Sequence, residues 1–322
     1  MFLTYLHNSI SFSTIFLFGA TGETITEKSG HLNLGIPGIM CLGALGGCVG
    51  ESIYLKSLSN VLAINGFWAV FVALLFAMLF AGIGGLIYGF LTITLRCNQN
   101  VSGLAITTFG TGLTNFFGEI VDKTGFGYAS KYFTEYAEGA NNMGWFSELF
   151  LTYGCLVYIA LATAIVASII LKKTRVGLSL CAIGESPATA DAAGINVTAY
   201  KYVACVLGAA IAGLGGLFYI MDYLGGAWEY DVNAMGWLAV ALVIFSLWRP
   251  SLGILGSILF GALYFAPTYL KNLVAIPSAQ QELIIMLPYV VTIIILIITS
   301  MTNKKETQPP AALGLSYFRE ER

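Results

Sequence analysis

Apolar residues gather in nine long stretches, near 3–20, 34–50, 66–95, 101–118, 149–171, 200–222, 234–248, 251–267 and 283–301. Each approaches the roughly 20 residues that a helix needs to cross a hydrocarbon core. The first two and the seventh are short or polar, so the pattern predicts about nine transmembrane helices within a range of eight to ten. The third is long enough to tilt or to extend past the bilayer. The expected fold is an all-α polytopic membrane protein, with one transmembrane domain over 1–301 and a poorly ordered polar tail over 302–322 that contains Pro309-Pro310.

Composition agrees with the pattern. Of 322 residues 57% are hydrophobic and only 10% are charged, against about 25% in a soluble domain. Mean hydropathy is +0.80. Too few charges remain to cover a soluble surface, and a net charge of −2 offers no basic excess for nucleic acid. The six cysteines are scattered without CxxC spacing and read as buried small hydrophobes.

Cations set the expected orientation. Nine spans place Lys28, Arg96, Lys172, Lys173, Arg175, Lys201, Arg249, Lys304, Lys305, Arg319 and Arg322 on one side, and Lys56, Lys123, Lys131 and Lys271 on the other. The richer side is cytoplasmic by the positive-inside rule, which puts the N-terminus outside and the C-terminus inside. Residues 119–148 are then an outside loop whose dense aromatics suit either a solvated loop with interfacial anchors or a lid or re-entrant element in the headgroup belt.

The inside loop 172–199 carries the sharpest local signal. Ser186 can cap a helix, Pro187 suits its first position and Gly194 its end, so about seven Ala-rich residues should be helical. A helix that short does not hold alone in water. It packs on its own spans or docks into a cleft on a cytosolic partner. The candidate coupling residues are Gly184, Glu185, Ser186, Ala188, Ala193 and Gly194.

Within the spans, small residues recur every four positions, as in Ala81, Gly85, Gly89, in Gly208, Ala212, Gly216 and in Gly253, Ser257, Gly261. Such stripes let helix backbones approach closely in lipid. The segment 19–38 combines Glu23, Glu27, Asn33, threonines and glycines, which suggests a broken helix facing a cavity. Thr107, Thr111, Thr114 and Asn115 share a face of the fourth span; the hydroxyls bond back to their own helix or line a path. Glu23, Asn33, Asn98, Asn100, Thr111, Asn115 and Trp237 are the candidate path residues. No charge falls mid-span, which argues against a proton relay. There is no GxxxxGK[ST], HExxH or GxSxG pattern, hence no expected ATPase or hydrolase site and no cofactor of its own.

Four blocks in fixed order carry a family resemblance. Gly22-Glu23-Thr24 with Ser29-Gly30-His31-Leu32-Asn33-Leu34-Gly35 and Gly38 resembles the opening signature of nucleoside-type ABC importer permeases. Leu95-Arg96 through Gly103-Leu104, and Thr174-Arg175-Val176-Gly177-Leu178 with Ala182 to Ala188 and Ala192 to Ile195, are similar to their later blocks. Gly208 to Gly216 and Met235-Gly236-Trp237 to Gly261 continue the match over roughly 19–265. Pro37, Cys181 and Ser186 depart from the usual residues there. The family also takes in ribose-type and, more distantly, branched-chain amino-acid permeases. The resemblance implies a type II-like permease bundle that transports a nucleoside, or else a sugar or a flavin. It also implies a second permease subunit as a heterodimer, ABC ATPase subunits that hold the ATP-Mg, and an extracytoplasmic binding protein or lipoprotein. The helix at 185–194 would insert into the ATPase.

Overall fold

The computed structural model describes residues 2–58, 63–135, 144–230, 232–273, 286–302 and 308–318, together with 280 and 283–284. Its described part is helical, without a strand. The helices are α1 (Phe2–Lys28), α2 (Ile36–Ser57), α3 (Gly66–Gly89), α4 (Gln99–Ile120), α5 (Phe126–Thr134), α6 (Trp145–Phe150) and α7 (Cys155–Lys173). There follow α8 (Arg175–Glu185), α9 (Pro187–Ala192), α10 (Val197–Phe218), α11 (Val232–Phe245), α12 (Pro250–Leu273) and α13 (Leu287–Thr302). Single π turns, Phe90–Thr94 and Tyr219–Tyr223, extend α3 and α10.

Among the described residues, each of the nine apolar stretches overlaps a helix of 14 residues or more. Five are long and apolar enough to cross a membrane: α2, α3 and α10 with their π turns, α7, and the Pro250–Pro267 part of α12. α1 and α4 have the length but carry more polar residues, whereas α11 and α13 have only 14 and 16 residues. In α2 and α10 the apolar windows are 89% and 78% buried, against 33% in α3 and 28% in α7. The first pair is therefore the centre and the second the periphery. The outer helices turn Phe71, Leu75, Leu79, Ile83 and Ile165, Val166, Ile169 outward, as lipid-facing surfaces do.

Small residues set the helix spacing. Ala69, Ala73, Ala77 and Ala81 of α3 are all fully buried, which carries the stripe about three turns further back from Ala81. α1 runs antiparallel along α10. A methyl on Gly22 would lie 2.2 Å from the Gly208 carbonyl oxygen. On the other side of α10, a methyl on Gly43 of α2 would lie 2.2 Å from the Gly213 oxygen. Only glycine permits backbones this close.

The helices are longer than the apolar runs that foretold them, and this corrects one expectation. Residues 19–28 do not break α1; they complete it, so Glu23 and Glu27 lie inside a helix and are buried. Glu51 of α2 is likewise buried within a span. The polar tail also differs from expectation over 308–318, where the chain is docked on the bundle, while 303–307 and 319–322 lie outside the described residues. In the aromatic loop, α5 buries Phe126 and Phe133, while Trp145, Phe146 and Phe150 of α6 stay exposed; 136–143 lie outside the described residues.

Chain direction sorts the charges onto two ends. The ends of α1, α3, α7 and α11 and the starts of α4, α8 and α10 gather Lys28, Arg96, Lys172, Lys173, Arg175, Lys201 and Arg249. The opposite end holds Lys56, Lys123 and Lys131, with Lys271 in the last turn of α12.

Candidate functional site

The first feature is an interrupted helix. After Lys28 the chain turns through Ser29 and Gly30 (φ +88°) and runs back into the bundle without helical structure before α2 begins at Ile36. Gly35 packs against Ile106 and Gly38 against Gly110 of α4. Ile106 is seven residues past the α4 start, which puts the α2 N-terminus about 10 Å inside that end of the bundle at 1.5 Å per residue.

Non-helical backbone at such depth needs partners from neighbouring side chains. The Leu32 N–H donates to Gln99 Oε1 at 2.8 Å and the Asn33 N–H to Glu23 Oε1 at 2.9 Å. The Leu32 carbonyl accepts from Tyr88 Oη at 2.8 Å and the Leu34 carbonyl from Thr107 Oγ1 at 2.8 Å. Asn33 Oδ1 accepts from the Gly35 N–H at 2.9 Å. Gly103 lets α4 lie against Leu34. The broken geometry expected within 19–38 is present, and the break itself covers 29–35. Glu27 accepts from the Trp248 indole, which joins α1 to the α11–α12 corner. At that corner Leu247 and Trp248 hold φ of +53° and +54°, a left-handed backbone that costs non-glycine residues energy.

The candidate path residues do not converge on one cavity. Glu23 and Asn33 adjoin but are buried, and they hold the re-entrant link. Asn98 is exposed and caps α4 by accepting from the Val101 N–H; Asn100, two residues on, is also exposed. The proposed threonine face splits. Thr107 and Thr114 turn inward, Thr111 sits at the edge beside Cys41 Sγ at 4.0 Å, and Asn115 faces outward. Trp237 is exposed on α11.

The second feature is the segment after α7. Thr174 caps α8 by accepting from the Gly177 N–H, and Gly177 lets α8 fold back under the Ile170 carbonyl. Ser186, extended at φ −151°, ends α8 and caps α9 through the Thr189 N–H; Pro187 opens α9, and Gly194 (φ +83°) follows its end. The short helix read from Ser186, Pro187 and Gly194 is present with six residues. The longer α8 before it was not foreseen: its 11 residues are too few and too polar to stand out as a span, although they keep an amphipathic helical pattern.

Ala190 packs inward with Ile183 and Val197, whereas Glu185, Ala188, Thr189, Ala192, Ala193 and Gly194 are exposed. Gly184 is not on that surface. A methyl there would lie 2.3 Å from the Lys28 carbonyl oxygen, and the Gly184 oxygen accepts from the Ala312 N–H at 2.9 Å. Burial raises the Cys181 thiol of α8 above its ordinary pKa, which keeps it protonated. The tail completes this end of the molecule. Gly314 N–H donates to the Gly30 carbonyl, Gln99 Nε2 to the Leu315 carbonyl and Tyr317 Oη to Asp191, and Arg96 stacks over Phe318 at 4.7 Å. The tail so ties α9, the re-entrant link and α4 together.

A helical bundle with apolar outer faces, a re-entrant backbone link and a small helix presented at its cation-rich end has the build of a multi-pass membrane permease. The chain belongs to the family described as branched-chain amino acid transport system / permease component, which matches residues 5–298. It is therefore a permease component of an ABC importer and a multi-pass membrane protein. Such components work with ATPase and substrate-binding partners. It is 34% identical over 262 residues, 80% of this chain and 75% of the relative, to the Haloferax volcanii protein named "Putative glucose ABC transporter permease protein TsgC13". It is 27% identical to the nucleoside ABC transporter permease protein NupC of Lactococcus lactis, covering 88% of each chain. It is also 27% identical to the guanosine ABC transporter permease protein NupQ of Bacillus subtilis, covering 85% of this chain and 84% of the relative. No solved structure matches.

Proposed function

We propose that this chain is one half of a heterodimeric permease that imports a nucleoside across the cytoplasmic membrane. Its N-terminus is outside and its C-terminus is cytosolic. It has no nucleotide site of its own; partner subunits bind ATP-Mg, and a binding protein or lipoprotein outside delivers the substrate. The exposed face of α9, with Glu185, Ser186, Ala188, Ala193 and Gly194 on or beside it, enters the ATPase cleft, and Gly184 acts as the packed pivot behind it. The observation that carries this reading is a six-residue helix, capped at both ends, that offers a small-residue face at the end where the cations gather. Small side chains suit insertion into another protein. Tight packing of α8 on α7 and α1 suits passing a displacement to the spans. Asn98, Asn100, Thr111, Asn115 and Trp237 remain candidates for the path, which in this reading forms against the second permease.

A specific observation favours a second reading, a hexose substrate: the most identical of the three relatives is named for glucose. Uptake of labelled nucleoside by cells that express the complete transporter tests both. Glu185→Arg and Ala188→Trp should cut uptake at least tenfold while membrane levels of the chain stay unchanged. Unchanged uptake in both variants would sink the coupling assignment. Competition by unlabelled glucose but not by nucleosides would favour the second substrate.

A further inference from the structure

A cavity of about 430 Å³ lies at the cation-rich end, between α9, the start of α10, the π turn after α3 and the docked tail. That volume lies in the range of small-ligand sites. Its wall has an uncommon charge pattern. Lys201 lines it, is 3% exposed, and forms no ion pair among the described residues. A buried ammonium without a counter-ion is costly, and an anion relieves that cost. Arg96 lines the same cavity. It sits at φ +56° after the π turn, lies over the Phe318 ring, and likewise forms no ion pair among the described residues.

Two further features point the same way. Asn196, Val197 and Thr198 bring the N-terminus of the 22-residue α10 to the cavity. Asn196 caps only the Ala199 N–H from its side chain, so first-turn N–H groups and the positive helix end remain for a ligand. His31, 1% exposed, lines the cavity, and its Nδ1 has no hydrogen-bond partner among the described residues. Among the described lining residues the one carboxylate, Asp191, already accepts from Tyr317 Oη at 2.8 Å. Two unpaired cations, a helix N-terminus and a spare ring nitrogen make an oxyanion receptor. Compact tetrahedral oxyanions fit that donor set, whereas a neutral nucleoside or sugar does not use it.

We propose that this cavity binds a phosphate-bearing anion, held by Lys201, Arg96 and the α10 N-terminus. The ligand bridges the end of α3 to the start of α10 beside α9, and the tail closes over it through Tyr317. The donor chemistry is shared by a free phosphomonoester and by the headgroup of an acidic phospholipid. That the cavity opens to the cytosol rests on the orientation proposed above; the binding chemistry does not.

The test uses the full chain in nanodiscs, one set of phosphatidylcholine and one that contains phosphatidylglycerol. Equilibrium binding of labelled AMP, with inorganic phosphate as competitor, is measured in the first set, and lipid retained by the chain is weighed by native mass spectrometry in the second. Saturable AMP binding at one per chain, displaced by phosphate, marks a free anion as ligand; one retained phosphatidylglycerol without AMP binding marks the headgroup. In either case Lys201→Gln and Arg96→Gln should weaken binding at least tenfold, and Lys201→Arg should preserve most of it. Arg96 is exposed at a chain turn, so Arg96→Gln keeps the test valid where Lys201→Gln fails to fold. Absence of both ligands from the wild-type chain, or binding undiminished in the folded variants, would overturn the site. Neither result bears on whether the chain is a permease, which the uptake assay reads separately.

Discussion

Removing the hydroxyl of Tyr88 tests the re-entrant link most cleanly. Tyr88 is fully buried, and its Oη donates to the Leu32 carbonyl at 2.8 Å. Tyr88→Phe keeps the ring and its contacts, including the edge-on His31 ring at 6.4 Å between centroids. It leaves the Leu32 carbonyl without that donor inside the bundle. Leaving a buried acceptor unpaired costs about 1–3 kcal/mol, which is roughly a 5- to 150-fold rise in the open population of the link at 1.4 kcal/mol per factor of ten. Amide hydrogen exchange reads that population directly, because the Leu32, Asn33 and Gly35 N–H groups are all held by side chains. The peptide that covers 29–36 should exchange faster by that factor, and peptides from the α10 centre should be unchanged. Equal exchange of the 29–36 peptide in both proteins would refute the claim that side-chain donors hold this backbone in place.

Two further substitutions probe the frame around it. Gly43→Ala forces a methyl to within 2.2 Å of the Gly213 oxygen, an overpacking that should cost about 1–3 kcal/mol and lower the unfolding temperature in detergent; an unchanged temperature would mean that α2 and α10 are not in backbone contact. Trp248→Phe takes the indole donor from buried Glu27 and should destabilise the chain by a similar amount, with Glu27→Gln in the same background recovering part of the loss; no recovery would place the cost elsewhere.

How far the sequence was legible depended on where the signal was written. Apolar runs located all the long helices, and Ser186, Pro187 and Gly194 located α9, because caps and breakers act through local backbone geometry. Hydropathy ended α1 and α2 too early. It reads Glu23, Glu27 and Glu51 as span ends, whereas neighbouring helices, and not lipid, surround them. Gly184 was read beside Glu185 as part of a docking face. Its role is set by the Lys28 carbonyl, more than 150 positions away in the chain, and no local pattern reports that. A bulky residue at Gly184 therefore tests packing and not partner contact. The tail was misread for a similar reason. Over 308–318 two of its bonds run from backbone N–H to the backbone carbonyls of Gly30 and Gly184, and such bonds leave no imprint on side-chain choice. The candidate path residues were picked by polarity alone, and polarity did not distinguish Thr107, which satisfies a buried carbonyl, from Asn115, which faces outward.

The central claim is that a separate motor drives this permease through the exposed face of α9. Cysteine cross-linking tests it directly: Ala188→Cys, in a background with exposed Cys97 replaced, is paired with single cysteines in the cleft of the co-expressed ATPase subunit. The account predicts a cross-linked pair whose yield changes with ATP, and no reaction of the Ala188→Cys thiol with an impermeant maleimide added to intact cells. Labelling of that thiol from outside, with no cross-link to the ATPase, would contradict it.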